Sequence, residues 1–157
     1  METLNLEKPT AKKLFKDVPK WFQKILMEKF GEDFFSDNIM DRIKTFEDAC
    51  IEVGVFPDDV YHSSDTLDEI AYKKLKLIAK VLRGEWEPNW NDRNEKKWYP
   101  WFQWSAGSGF DFSGSFYVYV ITDSTVGSRL CFPTQELADY FGKQFIEIHR
   151  ELLTINK

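Results

Sequence analysis

Cysteine is almost missing from this 157-residue chain, which carries only Cys50 and Cys131. Two thiols so far apart build no disulfide framework, and both sit in apolar patterns, so they read as small core residues of a protein in a reducing compartment. Glycine and proline are ordinary at 8 and 6, which excludes collagen-like and low-complexity chains. No apolar run approaches the ~18 residues of a membrane span, and residues 1–20 are polar and lysine-containing, without the apolar stretch of a signal peptide. A cytoplasmic protein without membrane association is the expectation. Histidine is limited to His62 and His149, and the chain has no His-x-x-x-His, EF-hand or glycine-rich phosphate motif. No cofactor, metal or catalytic constellation is therefore expected.

What is present is a core. Apolar residues make up 43% of the chain and aromatic residues 17%, as 14 Phe, 6 Trp and 6 Tyr, too many large apolar groups for a disordered chain. At this length one domain over 1–157 is the default. Net charge is −5, spread unevenly: +3 over residues 1–30, −10 over 31–70, +4 over 71–100 and −2 beyond. Basic stretches thus flank an acidic one, as in solvated faces or a bipolar surface, without the strong overall positive charge typical of nucleic-acid binders.

Residues 1–16 read as an arm that could be flexible. Asp17 is placed to cap a first helix with the stripe Val18, Phe22, Ile25, Leu26 and Phe30, widened by Trp21 and ended by Gly31. Thr45-Phe46-Glu47-Asp48 has the form of a capping box, and the helix it opens stops at Gly54. A third helix starts near Thr66, carries Leu67, Ile70, Ala71, Leu75, Ile78, Val81 and Leu82 on one face, and ends at Gly84. Its lysines, Lys73, Lys74, Lys76 and Lys80, point largely the other way.

After Gly84 the helical period stops, and twelve aromatics fall between Trp86 and Tyr119. A Trp-rich connection over 85–98 leads into strand patterns at 98–104, 110–112 and 115–121, with Ser105 to Gly109 as a hairpin tip. Apolar residues on both faces of 115–121 suggest a central strand, and the turn at 123–127 suggests a further antiparallel strand over 129–132. One final helix is expected from Gln135 to about Leu153. The fold class is α+β: N-terminal helices, a three- to four-stranded antiparallel meander, and a C-terminal helix packed on the sheet.

Four strings stand out as a set: Lys44-Thr45-Phe46-Glu47-Asp48-Ala49-Cys50, Ala71-Tyr72-Lys73-Lys74-Leu75 with Ile78-Ala79, Tyr99-Pro100-Trp101-Phe102, and Gly127-Ser128-Arg129-Leu130-Cys131-Phe132 with Glu136-Leu137-Ala138. Together, over roughly residues 40–155, they resemble an uncharacterised family of small proteins from gut Bacteroides-type bacteria and their phages or prophages. The resemblance implies a mobile-element setting and supplies no catalytic residue.

Candidate sites follow from the aromatic segment. Trp86, Trp90, Trp98, Trp101, Tyr117, Tyr119 and Arg129 form the candidate interface, because Trp, Tyr and Arg concentrate binding energy at protein contacts. A protein partner or self-association is the first expectation. Tyr117, Tyr119, Trp101 and Arg129 on one exposed sheet face would alternatively stack the bases of single-stranded nucleic acid. The opposing expectation is that helices cover both sheet faces and the rings are core, with the tryptophans of 85–98 anchoring that connection. Two enzyme-like alternatives are weaker: Asp58, Asp59, His62, Asp65, Asp68 and Glu69 around a metal, and Cys50 or Cys131 paired with His62 or with His149, itself read as partly exposed. Helix capping accounts for most of the acidic run.

Overall fold

The computed structural model describes residues 5–155. Seven helices and one hairpin follow in order: α1 Lys8–Leu14, α2 Lys20–Phe30, α3 Ile39–Arg42, α4 Phe46–Val53, α5 Leu67–Arg83, β1 Lys97–Ser105, β2 Gly109–Val118, α6 Gln135–Gln144 and α7 Ile146–Leu153. Single 3-10 turns interrupt the connections at Asp33–Phe35 and Pro57–Asp59. The architecture is α+β, as the element order implied.

Local signals act where the sequence places them. Thr45 accepts a hydrogen bond from the Asp48 amide while the Asp48 carboxylate accepts from the Thr45 amide, so α4 starts on a complete capping box. It ends on Gly54, whose φ of 75° is left-handed and open to glycine at no steric cost. At α5, Glu69 reaches back to the Thr66 amide at 2.7 Å. Most of the expected apolar stripe of α5 then lies inside: Leu75, Ile78, Val81 and Leu82 are buried in one cluster with Phe46, Cys50, Phe132, Phe141 and Phe145, and Ala71 is buried too. Leu67, in the first turn, is 61% exposed and Ile70 is half-buried, so the covered face begins a turn later than the pattern implied.

The N-terminal region departs from its pattern. Asp17 caps nothing; Pro19 occupies the N-cap of α2, and the Gln23 side-chain amide instead donates to the Phe15 and Val18 carbonyls. Of the expected stripe only Leu26 is buried, while Trp21 and Ile25 are exposed. Within the expected arm, α1 buries Ala11 and its Lys12 pairs with Glu52 of α4; residues 1–4 lie outside the described residues.

The sheet is smaller than expected. Residues 109–118 form one continuous strand, and among the described residues β1 and β2 make a two-stranded antiparallel sheet instead of three or four strands. Strand β2 stops at Val118, and residues 129–132 contribute only a bridge in which the Trp98 and Phe132 amides donate to each other's carbonyls at 2.9 and 2.8 Å. The cause lies in the turn. Asp123 accepts from the Thr125 and Val126 amides and Thr122 from the Gly127 amide, a local arrangement that coils the chain and brings it to the far edge of β1, away from β2.

The closing helix is also two. Phe145, at φ −111° and ψ 30°, breaks it into α6 and α7, and its buried ring locks the break into the core. Helix α6 lies across the hairpin, and α7 packs along α5. Close approach of α6 requires Gly142, because a Cβ there would sit 2.7 Å from the Phe112 ring and from Pro100 Cβ. His149, expected near the surface, is 3% exposed between Phe102 and Phe141.

Candidate interaction surfaces

The Trp-rich connection is fastened near its middle. Trp90 donates from Nε1 to Ser128 Oγ at 2.6 Å, and the Asn89 amide donates to Glu95 at 2.7 Å. Beneath the Trp90 ring, 5.3 Å from its centroid, sits the Lys97 ammonium, which is wholly buried. Burying a lysine is costly unless its charge and donors are matched. Here Nζ pairs with Glu95 Oε1 at 3.1 Å and donates to the Glu95 carbonyl at 3.0 Å. Trp90 therefore closes a packed junction between the connection and the turn at 122–129. Nothing in the residue pattern marks Lys97 as interior, since lysine is almost never fully buried.

Pairing register sorts the hairpin into two faces. Trp98, Pro100, Phe102 and Trp104 stand opposite Tyr117, Ser115, Phe112 and Phe110 on the face that receives α6. Tyr99 and Trp101 stand opposite Phe116 and Gly114 on the other. A register shift between Trp101 and Phe102 leaves Ser113 bulged. On that second face Trp101 and Phe116 lie 5.1 Å apart and are 47% and 54% exposed. At the tip Trp104 is 70% exposed. Phe116 and Trp104 were not singled out from sequence, because an alternating pattern gives the faces of a strand but not which face is covered.

Tyr117 belongs to the face that receives α6, at its end away from the tip, 4.7 Å from the Trp98 ring and 5.4 Å from Tyr119, with the Lys96 ammonium 4.4 Å above it. The Tyr119 hydroxyl is held above its usual acidity range by its hydrogen bond with Tyr117. Tyr117 and Trp101 thus point to opposite sides of the sheet. A single stacking face made of Tyr117, Tyr119, Trp101 and Arg129 does not form.

Arg129 lies in a turn, not on a strand, and is exposed. With Trp86 it lines a groove of about 610 Å³ along the C-terminal half of α5, together with Lys73, Lys76, Lys80 and Arg83. Arg83 Nη1 donates to the Ser128 and Arg129 carbonyls at 2.6 and 3.0 Å, which fixes the turn against the helix end. Two of the seven sequence-chosen residues therefore meet here, beside lysines that the sequence placed only on the outer face of their helix.

The remaining alternatives are used structurally. Asp65 accepts from the His62 amide and pairs with Lys73 at 2.6 Å, and these bonds hold its carboxyl below the usual range. No three His, Cys, Asp or Glu side chains among the described residues stand close enough together to hold a metal ion. Both cysteines are buried and unpaired, and burial pushes each thiol up to about 11. Such thiols stay protonated at neutral pH and are poor nucleophiles. Compared with known protein families, curated proteins and solved structures, the chain matches none.

Proposed function

We propose that this chain is a non-enzymatic binding protein that works in the cytoplasm, of the phage or prophage type its resemblance implies, and that the hairpin is its protein-interaction surface. The observation that carries the reading is the pair of large rings, Trp101 and Phe116, held half-exposed on the sheet face away from α6. Exposed aromatic pairs of this kind are uncommon on surfaces that meet only water and typical of contact cores.

The occupant is a second copy of the chain. Strand β2 has ten residues, its far edge pairs with no strand among the described residues, and Asp111 is its one charge. Long strand edges in isolated domains usually carry lysine, proline or repeated charge that discourages pairing. Antiparallel pairing of β2 with its symmetry mate would give a four-stranded sheet, beyond the three that confer independent stability, and would bring two Trp101–Phe116 faces side by side.

Light scattering after gel filtration tests this directly. The expected mass is twice the 18.6 kDa of the chain, and Phe116→Lys should return it to one chain with unchanged helical circular dichroism. A wild-type protein that stays a single chain up to millimolar concentration refutes the self-association reading.

A further inference from the structure

We propose that the groove beside the C-terminal half of α5 binds single-stranded nucleic acid, with phosphates against Lys76, Lys80 and Arg129 and a base against the Trp86 indole. This site is separate from the hairpin and does not rest on the strand-pairing reading.

The chain as a whole is acidic, at −5, yet this groove gathers Lys73, Lys76, Lys80, Arg83 and Arg129 against only Glu85 and Glu87. Two of those cations are occupied: Lys73 by Asp65, and Arg83 by the carbonyls of Ser128 and Arg129. Lys76, Lys80 and Arg129 are exposed and make no ion pair among the described residues. Burial and the neighbouring Arg129 both lower the Arg83 pKa, with Glu87 acting the other way. Like charges held together by the fold, without a neutralising partner, form a standing site for an anion.

Geometry narrows the ligand. Lys76 and Lys80 stand about 6 Å apart along the helix at 1.5 Å per residue, and Arg129 adds a third available cation from the turn, more positive charge than a single phosphate requires. A half-buried residue, Trp86, also lines this groove, as do Val60 and Leu77. An aromatic platform beside a row of cations is the arrangement that holds unpaired bases without reading their sequence. A phosphorylated protein segment would use the cations and leave the indole idle. A duplex would find no helix or ribbon shaped to enter its groove.

Fluorescence anisotropy of a labelled oligothymidine of ~12 nucleotides, a length within the range of single-strand sites, provides the test. With three phosphates neutralised, the logarithmic salt slope should be about −2, so affinity should fall roughly 20-fold between about 50 and 200 mM salt. The double variant Lys76→Gln, Lys80→Gln should make that slope shallower by about 1.4, and Trp86→Leu should weaken binding about 5- to 150-fold at fixed salt. Arg129→Gln, at an exposed position, should make the slope shallower by about 0.7. Circular dichroism and thermal unfolding of each variant show that the fold is retained. Lys96→Gln with Tyr117→Ala, which alters the hairpin rings, should leave affinity unchanged. The proposal is overturned by absence of binding at 50 mM salt, by loss of binding through the hairpin variant with the groove variants silent, or by tighter competition from a phosphopeptide. Equal affinity for thymidine monophosphate would also overturn it, because a strand must engage more than one cation.

Discussion

His149 makes acid stability a sharp readout of the packing of α7 against the hairpin. Its imidazole is 3% exposed, lies 4.5 Å from the Phe102 ring and 4.7 Å from Phe141, and its Nε2 has no hydrogen-bond partner. Burial lowers its pKa from 6.5 to about 3, with a contact to the Phe141 backbone working the other way. In the unfolded chain the same group titrates near 6.5. Between those values the unfolded state carries a proton that the folded state refuses, so folding stability falls as pH drops through that window. The slope is about 1.4 kcal/mol per pH unit. From pH 7.5 to 4.5 this one residue should remove about 2–3 kcal/mol, a large share of the ~5–15 kcal/mol typical of a domain.

The perturbation that isolates it is His149→Leu, similar in volume and unable to titrate. Urea unfolding of both proteins at pH 7.5 and 4.5 gives four free energies, and the difference of differences cancels the carboxylates common to both. Wild type should lose about 2–3 kcal/mol more than the variant over that interval. At pH 7.5 the variant should lie within about 1 kcal/mol of wild type, because the substitution also removes an unsatisfied polar atom. Equal losses in the two proteins would refute the reasoning. So would an imidazole resonance from His149 that titrates near pH 6 in the folded protein.

Three further outcomes follow from the packing. Gly142→Ala should destabilise by about 1–3 kcal/mol, even though alanine favours helix by about 1, because the new Cβ meets Phe112 and Pro100 at 2.7 Å; a rise in thermal midpoint would contradict it. Glu95→Gln should cost about 3 kcal/mol in denaturant unfolding, since the wholly buried Lys97 ammonium loses its charge partner at 3.1 Å. Thr45→Ala should cost about 1 kcal/mol through loss of the α4 cap, with the largest rise in amide exchange at Asp48, whose N–H bonds Thr45.

What the sequence alone determined here is local. The Thr45–Asp48 and Thr66–Glu69 caps, the stops at Gly54 and Gly84, the stripe of α5 and the hairpin tip at 105–109 each depend on residues within a turn or two of one another. Their physics is complete within that window. The aromatic concentration was legible in the same way, and so was the alternation that puts Trp101 and Tyr117 on strands. Gly142 also carried a readable signal, an isolated glycine inside a helical pattern, which commonly marks a close contact.

Tertiary structure decided which patterned residues are covered and which chain-distant groups meet. Trp101 and Phe116 remain half-exposed because α6 took the opposite face, while Trp90, in a segment with no pattern at all, is fastened to Ser128. His149 became interior because the break at Phe145 directs α7 beneath Phe102, and Lys97 because Glu95 and the Trp90 ring enclose it. Arg129 left its expected strand once the Asp123 turn coiled the chain, and reached the lysines of α5 from more than forty positions away. Burial, strand count and charge neighbourhood are properties of contacts between elements. A period along the chain specifies the face a residue presents, whereas only packing determines what that face meets.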